Sequence, residues 1–166
     1  MIHGYLLDTN TIAYWQNPDC PEHTSILNHI NKLHPDAPLT TSVIVHGEIA
    51  YGHQLVSPKQ QGLSKQVLTF VKKRFPRPLE VRHSTSFVYG KLRAALFKKY
   101  APQKGRKGLR PEQLIDPVTS KSLGIQENDL WIASQAIEYN LILVTSDKMK
   151  HICSVAEELR VENWAI

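Results

Sequence analysis

Short apolar runs alternate with longer segments of helical period along this chain, and that alternation restricts its fold more than any other feature. Tyr5–Leu7 is a first buried run that stops at Asp8, and Leu39–Thr41 is a second. Residues 79–81 form a weaker third run, residues 141–144 the most pronounced one, and residues 159–163 a last run of edge-strand character. Between them, residues 9–15, 20–33, 43–55, 59–75, 84–100 and 128–139 place apolar side chains at helical spacing. Ser42 and Asn128 are read as N-caps, and Pro76 and Pro78 as a stop. Strands joined through helices pair in parallel, so the pattern predicts a parallel sheet covered by helices on both faces.

With 166 residues, 42% of them hydrophobic, the chain is expected to form a single domain spanning residues 1–166. The exception to regular structure is an excursion at about 101–124, where Pro102, Gly105, Gly108, Pro111, Pro117 and Gly124 interrupt any periodicity. Loops of that length usually serve a function. The first seven residues lack a basic leader and an apolar stretch long enough for a signal peptide or membrane span, so a cytoplasmic protein is expected. Cys20 and Cys153 have no metal-ligand spacing to each other or to a histidine, which argues for reduced thiols and against structural zinc.

Charge is unevenly placed. From Ile49 to Pro111 fifteen Lys and Arg stand against one acid, Glu80, while the two flanks share five basic and fourteen acidic residues. A basic middle suits a polyanion, because bound phosphates release their condensed counterions. The same residues would also serve as solvated helix faces, and charge alone does not separate the two readings.

Four acids occupy awkward positions for folding alone. Asp8 closes the first strand, Asp147 closes the 141–144 strand, Asp129 opens the late helix, and Glu48 interrupts the apolar run Val43, Ile44, Val45, Ile49, Ala50. Taken singly, Asp8 and Asp129 are explained as helix caps and Glu48 as a helix face that emerges into solvent. None of these explanations predicts convergence, whereas strand ends and a helix start lie on one rim of a parallel sheet, where such sheets bind ligands. Two carboxylates about 4 Å apart repel by roughly 4 kcal/mol at an effective dielectric of about 20, so the group needs a cation. Oxygen ligands select Mg²⁺ or Mn²⁺, which activate water against a phosphodiester.

The segments LLDTNTIAYW (6–15), SVIVHGEIAYG (42–52), NDLWIASQAI (128–137) and LILVTSD (141–147), with the closing LRVENW (159–164), resemble the PIN-domain ribonucleases. Within them they look most like the VapC-type toxins of toxin–antitoxin pairs. The resemblance implies a five-stranded parallel sheet in a three-layer α/β/α sandwich and an acidic pocket binding Mg²⁺ or Mn²⁺. It makes Asp8, Glu48, Asp129 and Asp147 the catalytic acids, with Asp8, Asp129 and Asp147 as metal ligands, and Asn10, Thr145 and Ser146 as pocket-supporting residues. It also implies cleavage of structured RNA such as tRNA, a homodimer, and a small antitoxin as partner.

The 101–124 excursion is longer than the link expected of that family, and it carries Lys104, Arg106, Lys107 and Arg110. It leads into Asp129, so it is placed to shape RNA entry, to rim the pocket or to contact an antitoxin. Arg93 on the preceding helix is a candidate phosphate contact, with a solvated helix charge as its plainer reading. Aspartyl-phosphate chemistry is disfavoured, because the general acid two residues after Asp8 is replaced by Asn10. No Ser or Cys sits in a nucleophile elbow. The remaining alternative is a PIN-like module that binds RNA or protein without cutting, and the concentration of acids argues against it.

Overall fold

The computed structural model describes residues 3–104, 108–147 and 149–166. Arg106 and Lys107 of the basic excursion lie outside the described residues. The sheet contains β1 (Tyr5–Leu7), β2 (Leu39–Thr41), β3 (Ile142–Val144) and β4 (Arg160–Glu162), in spatial order β2-β1-β3-β4 and all parallel. Tyr5 is in register with Leu39 on one side and Ile142 on the other.

Successive strand residues point to opposite faces, and Leu6, Leu7, Ile142, Leu143 and Val144 are all buried, so both faces of the two central strands are covered. The covering helices form two packed groups. In one, α1 (Thr9–Gln16) packs on α2 (His23–Lys32), α3 (Val43–Leu55) and α4 (Gln61–Arg74). In the other, α5 (His83–Tyr100) packs on α6 (Glu127–Glu138) and on the short α7 (Lys150–Cys153). None of the helices described is long and apolar enough to cross a membrane.

The α/β sandwich is as expected, but the fifth strand is not. Residues 79–81 contribute one parallel bridge, Ser42 to Leu79, in which the Leu79 amide donates to the Thr41 carbonyl and its carbonyl accepts from Val43. The partner chain enters α3 at Val43, directly after Ser42, and this segment itself turns into α5 at His83, so pairing ends after a single residue. The sheet among the described residues therefore has four strands.

A second correction concerns the late helix. Its N-cap is Gln126, not Asn128, and Asp129 occupies the third helical position, where its carboxylate accepts from the Gln126 amide at 2.7 Å. That frees the Asn128 side chain for another partner.

The described part of the excursion is tied down. Ala101, Pro111, Leu114, Leu123 and Ile125 are buried, and Ile115 pairs antiparallel with Ser122 around a turn in which Asp116 Oδ1 accepts from the Val118 and Thr119 amides.

Candidate active site

The order β2-β1-β3-β4 makes the gap between β1 and β3 the point where connections leave in opposite directions, the usual ligand crevice of an open parallel sheet. Asp8 follows β1 and Thr145 to Asp147 follow β3, so the topology brings residues distant in sequence to that crevice. There Asp8, Thr9, Asn10, Glu48, Gly124, Gln126, Asp129 and Asp147 line a cleft of about 410 Å³. A larger groove of about 590 Å³ on α4 has no acidic lining residue and stands apart from this chemistry.

Asp8 is buried and held from two sides. Its Oδ1 accepts from the Thr9 amide at 2.7 Å, which caps α1, and its Oδ2 accepts from the Thr145 hydroxyl at 2.8 Å. The Asp147 amide in turn donates to Thr145 Oγ1 at 3.1 Å, which shapes the turn after β3. Asp147 itself is exposed, and its carboxylate accepts from Asn10 Nδ2 at 3.2 Å.

Glu48 is half-buried and gripped at both oxygens: Asn128 Nδ2 donates to Oε1 at 2.7 Å and the Thr9 hydroxyl donates to Oε2. The donor from Asn128 comes from α6 and that from Thr9 from α1, so three helices meet at this carboxylate.

Among the described residues no Lys, Arg or His stands within ion-pair reach of these four acids; the ion pairs are His34 with Asp36 and Arg93 with Glu127. Burial raises the Asp8 carboxyl above its ordinary range, and the charges of Glu48 and Asp147 add to this while Thr145 and Thr9 oppose it. Asp129 is pushed up to about 6, first by burial and then by the charges of Asp8, Asp147 and Glu48. Buried carboxylates facing like charges in this way are what a bound cation stabilises. As the side chains stand, no three His, Cys, Asp or Glu among the described residues form a ready ligand set. The all-oxygen donors, the raised carboxyls and the shortage of positive charge among the described residues fit a hard divalent ion.

Of the residues expected from sequence, Asp8, Asn10, Glu48, Asp129 and Asp147 line the cleft and Thr145 supports it from below. Ser146 lies in the same turn without a hydrogen bond to any of the acids, and exposed Lys104 does not line the cleft. Arg93 is paired with Glu127 at 3.1 Å rather than free. Sequence reasoning missed Thr9 and Asn128 as partners of Glu48. The signal was present, because a polar residue directly after a strand-end acid and another directly before a helix acid had no apolar role to fill. Gly124 and Gln126 bring the end of the excursion to the cleft rim, and Gly124 has φ +66, which a side chain would strain.

The fold has counterparts among known proteins. The family model described as PIN domain matches residues 5–158. Ribonuclease VapC2 of Rickettsia felis is 31% identical over 164 residues, covering 96% of this chain and 97% of that protein. In the crystal structure of VapBC2 from Rickettsia felis bound to a promoter DNA fragment, the matching chain has a TM-score of 0.67 at 30% identity and 99% coverage of both chains. VapBC-1 from nontypeable Haemophilus influenzae shares the fold, with a TM-score of 0.68 at 23% identity and full coverage of both chains.

Proposed function

The chain belongs to the PIN-domain family, in its VapC branch, and from that premise we propose that it is an endoribonuclease that hydrolyses RNA phosphodiesters with a bound Mg²⁺ or Mn²⁺. The observation that carries the reading is the meeting of Asp8, Glu48, Asp129 and Asp147 around one cleft, with no Lys, Arg or His among the described residues in ion-pair reach of them. Asp8, Asp129 and Asp147 would hold the ion, and Asn10 and Thr145 steady two of them through hydrogen bonds. Such an ion supplies Lewis acidity, generating a nucleophile from water near neutral pH and offsetting phosphate charge. Glu48, oriented by Thr9 and Asn128, is the acceptor for the proton of the attacking water. The Lys and Arg of the middle segment offset the charge of an approaching RNA backbone.

The relative solved as VapBC2 supports a small antitoxin as the regulatory partner and with it a toxin role; a homodimeric assembly and action in the cytoplasm complete the proposal. The test is RNA decay by the purified chain, free of antitoxin, with Mn²⁺ or Mg²⁺, beside Asp8→Asn and Asp129→Asn. The expected result is decay by the wild type alone, abolished by chelation. Equal decay in all three proteins, or none in the wild type with either ion, overturns the reading.

A further inference from the structure

Directly behind the cleft, α5 and α6 are locked together at the residue that precedes Asn128 and Asp129. Arg93 Nη1 lies 3.1 Å from Glu127 Oε1, and both side chains are about two-thirds buried, with relative exposures of 35% and 34%. The Tyr89 hydroxyl donates to the same Glu127 oxygen and accepts from Arg93. The Tyr89 ring stacks on Trp131, one helical turn beyond Glu127, with centroids 3.8 Å apart and planes 6° from parallel. The Arg93 guanidinium also packs over Phe97 at 5.4 Å. From the other side, the Glu127 amide donates to Glu112 Oε1 at 2.8 Å, which ties the excursion to the same point.

We infer that Arg93, through Glu127, is a positioning residue for the catalytic cleft and not a contact for substrate phosphate. The inference rests on the nuclease reading above. Three observations lead to it. The Arg93 charge is already paired, half-buried and packed between rings, so turning it toward RNA would strand Glu127. Glu127 adjoins Asn128, whose amide reaches across to Glu48, so a shift of the first turn of α6 moves that donor and Asp129 together. Finally, the network of ion pair, phenol and stacked rings holds the helix at several points, which fixes it in rotation as well as in distance.

The experiment compares Arg93→Met, Glu127→Gln and the double variant with the wild type. RNA cleavage is followed under steady-state conditions in Mn²⁺, and amide hydrogen exchange and the Asn128 side-chain resonance are followed by NMR without added RNA. A positioning role predicts that either single change lowers kcat by about 10- to 100-fold with KM little altered, and that the double variant is no worse than the poorer single. Exchange at residues 128–130 quickens and the Asn128 side-chain signal moves in both single variants. A phosphate contact predicts the opposite split: Arg93→Met raises KM with kcat kept, and Glu127→Gln leaves cleavage unchanged or lowers KM. That pattern overturns the inference, as does an unchanged Asn128 signal. Should the wild type cut no RNA, the nuclease reading fails, and the NMR arm still decides whether Arg93 and Glu127 hold Asn128 in place.

Discussion

The Thr145 hydroxyl donates to Asp8 Oδ2 at 2.8 Å, joining the residue after one central strand to the turn after the other. Both residues are buried, so the bond is formed where water does not replace it. Thr145→Val therefore leaves a buried carboxylate with one donor fewer and deprives the Asp147 amide of its acceptor. We expect a loss of about 1–3 kcal/mol in denaturant unfolding together with weakened RNA cleavage, and recovery of both in Thr145→Ser. A fully active Thr145→Val would show that Asp8 does not depend on this bond.

Asp129 and Asp8 make the ion-free protein pH-sensitive in a defined direction. Both carboxyls are raised in the folded state, mainly by burial, and Asp129 reaches about 6 against an ordinary value of 3.8. A group raised on folding binds more protons in the native than in the unfolded chain, so its effect on stability turns unfavourable as pH rises through that window. In a chelator, the wild type should lose on the order of 2 kcal/mol relative to Asp129→Asn between about pH 4 and about pH 6.5. Asn keeps an acceptor for the Gln126 amide, so the comparison isolates the charge. Thermal unfolding against pH checks this, and Mn²⁺ at neutral pH should return the lost stability to the wild type but less of it to the variant.

The grip on Glu48 predicts a functional loss without a matching loss of stability. Asn128→Ala and Thr9→Val each remove one of its donors, at half-buried positions on the cleft wall. Each should reduce kcat by about 10- to 100-fold, as is usual for the partners of catalytic carboxylates. The midpoint of unfolding should move little. If cleavage survives in the Thr9→Val, Asn128→Ala double variant, Glu48 needs no orientation and the proton-acceptor role fails.

The excursion should behave as part of the core rather than as a loose loop. Leu114 is 1% exposed and Val118 is 89% exposed. Leu114→Ala should cost about 2–4 kcal/mol and loosen Gly124 and Gln126 at the cleft rim, which lowers activity as well. Val118→Ser should leave unfolding within about 0.5 kcal/mol of the wild type. Denaturant titration of the two variants measures the contrast, and equal midpoints would place the whole segment outside the folded unit.

Much of the site was legible before the fold was known, and in an instructive way. The two explanations weighed for Asp8 and Asp129 turned out not to compete. Asp8 caps α1 and lines the cleft, and Asp129 satisfies the Gln126 amide and lines the same cleft. A carboxylate that satisfies a helix terminus with one oxygen still presents its charge to the rim. The pairing of Arg93 was not legible: its partner Glu127 is thirty-four positions away on another helix, and nothing in the spacing of α5 announces it. The short third strand failed as an element although residues 79–81 carry the right side chains, because the chain it pairs with enters α3 directly after Ser42.

What the sequence determined by itself is the set of elements and the chemistry placed at their ends. Side-chain period, capping residues and breakers act within a few residues, so strands ending in Asp8 and Asp147 and a helix beginning near Asp129 are local facts. What only the tertiary structure decided is which of these ends meet. The order β2-β1-β3-β4 brings Asp8 beside Thr145, helix packing carries Asn128 to Glu48, and the Arg93–Glu127 pair fixes the helix that carries both Asn128 and Asp129. Those relationships depend on pairing across more than thirty residues, where burial and hydrogen-bond satisfaction over the whole core, rather than any local preference, select the arrangement.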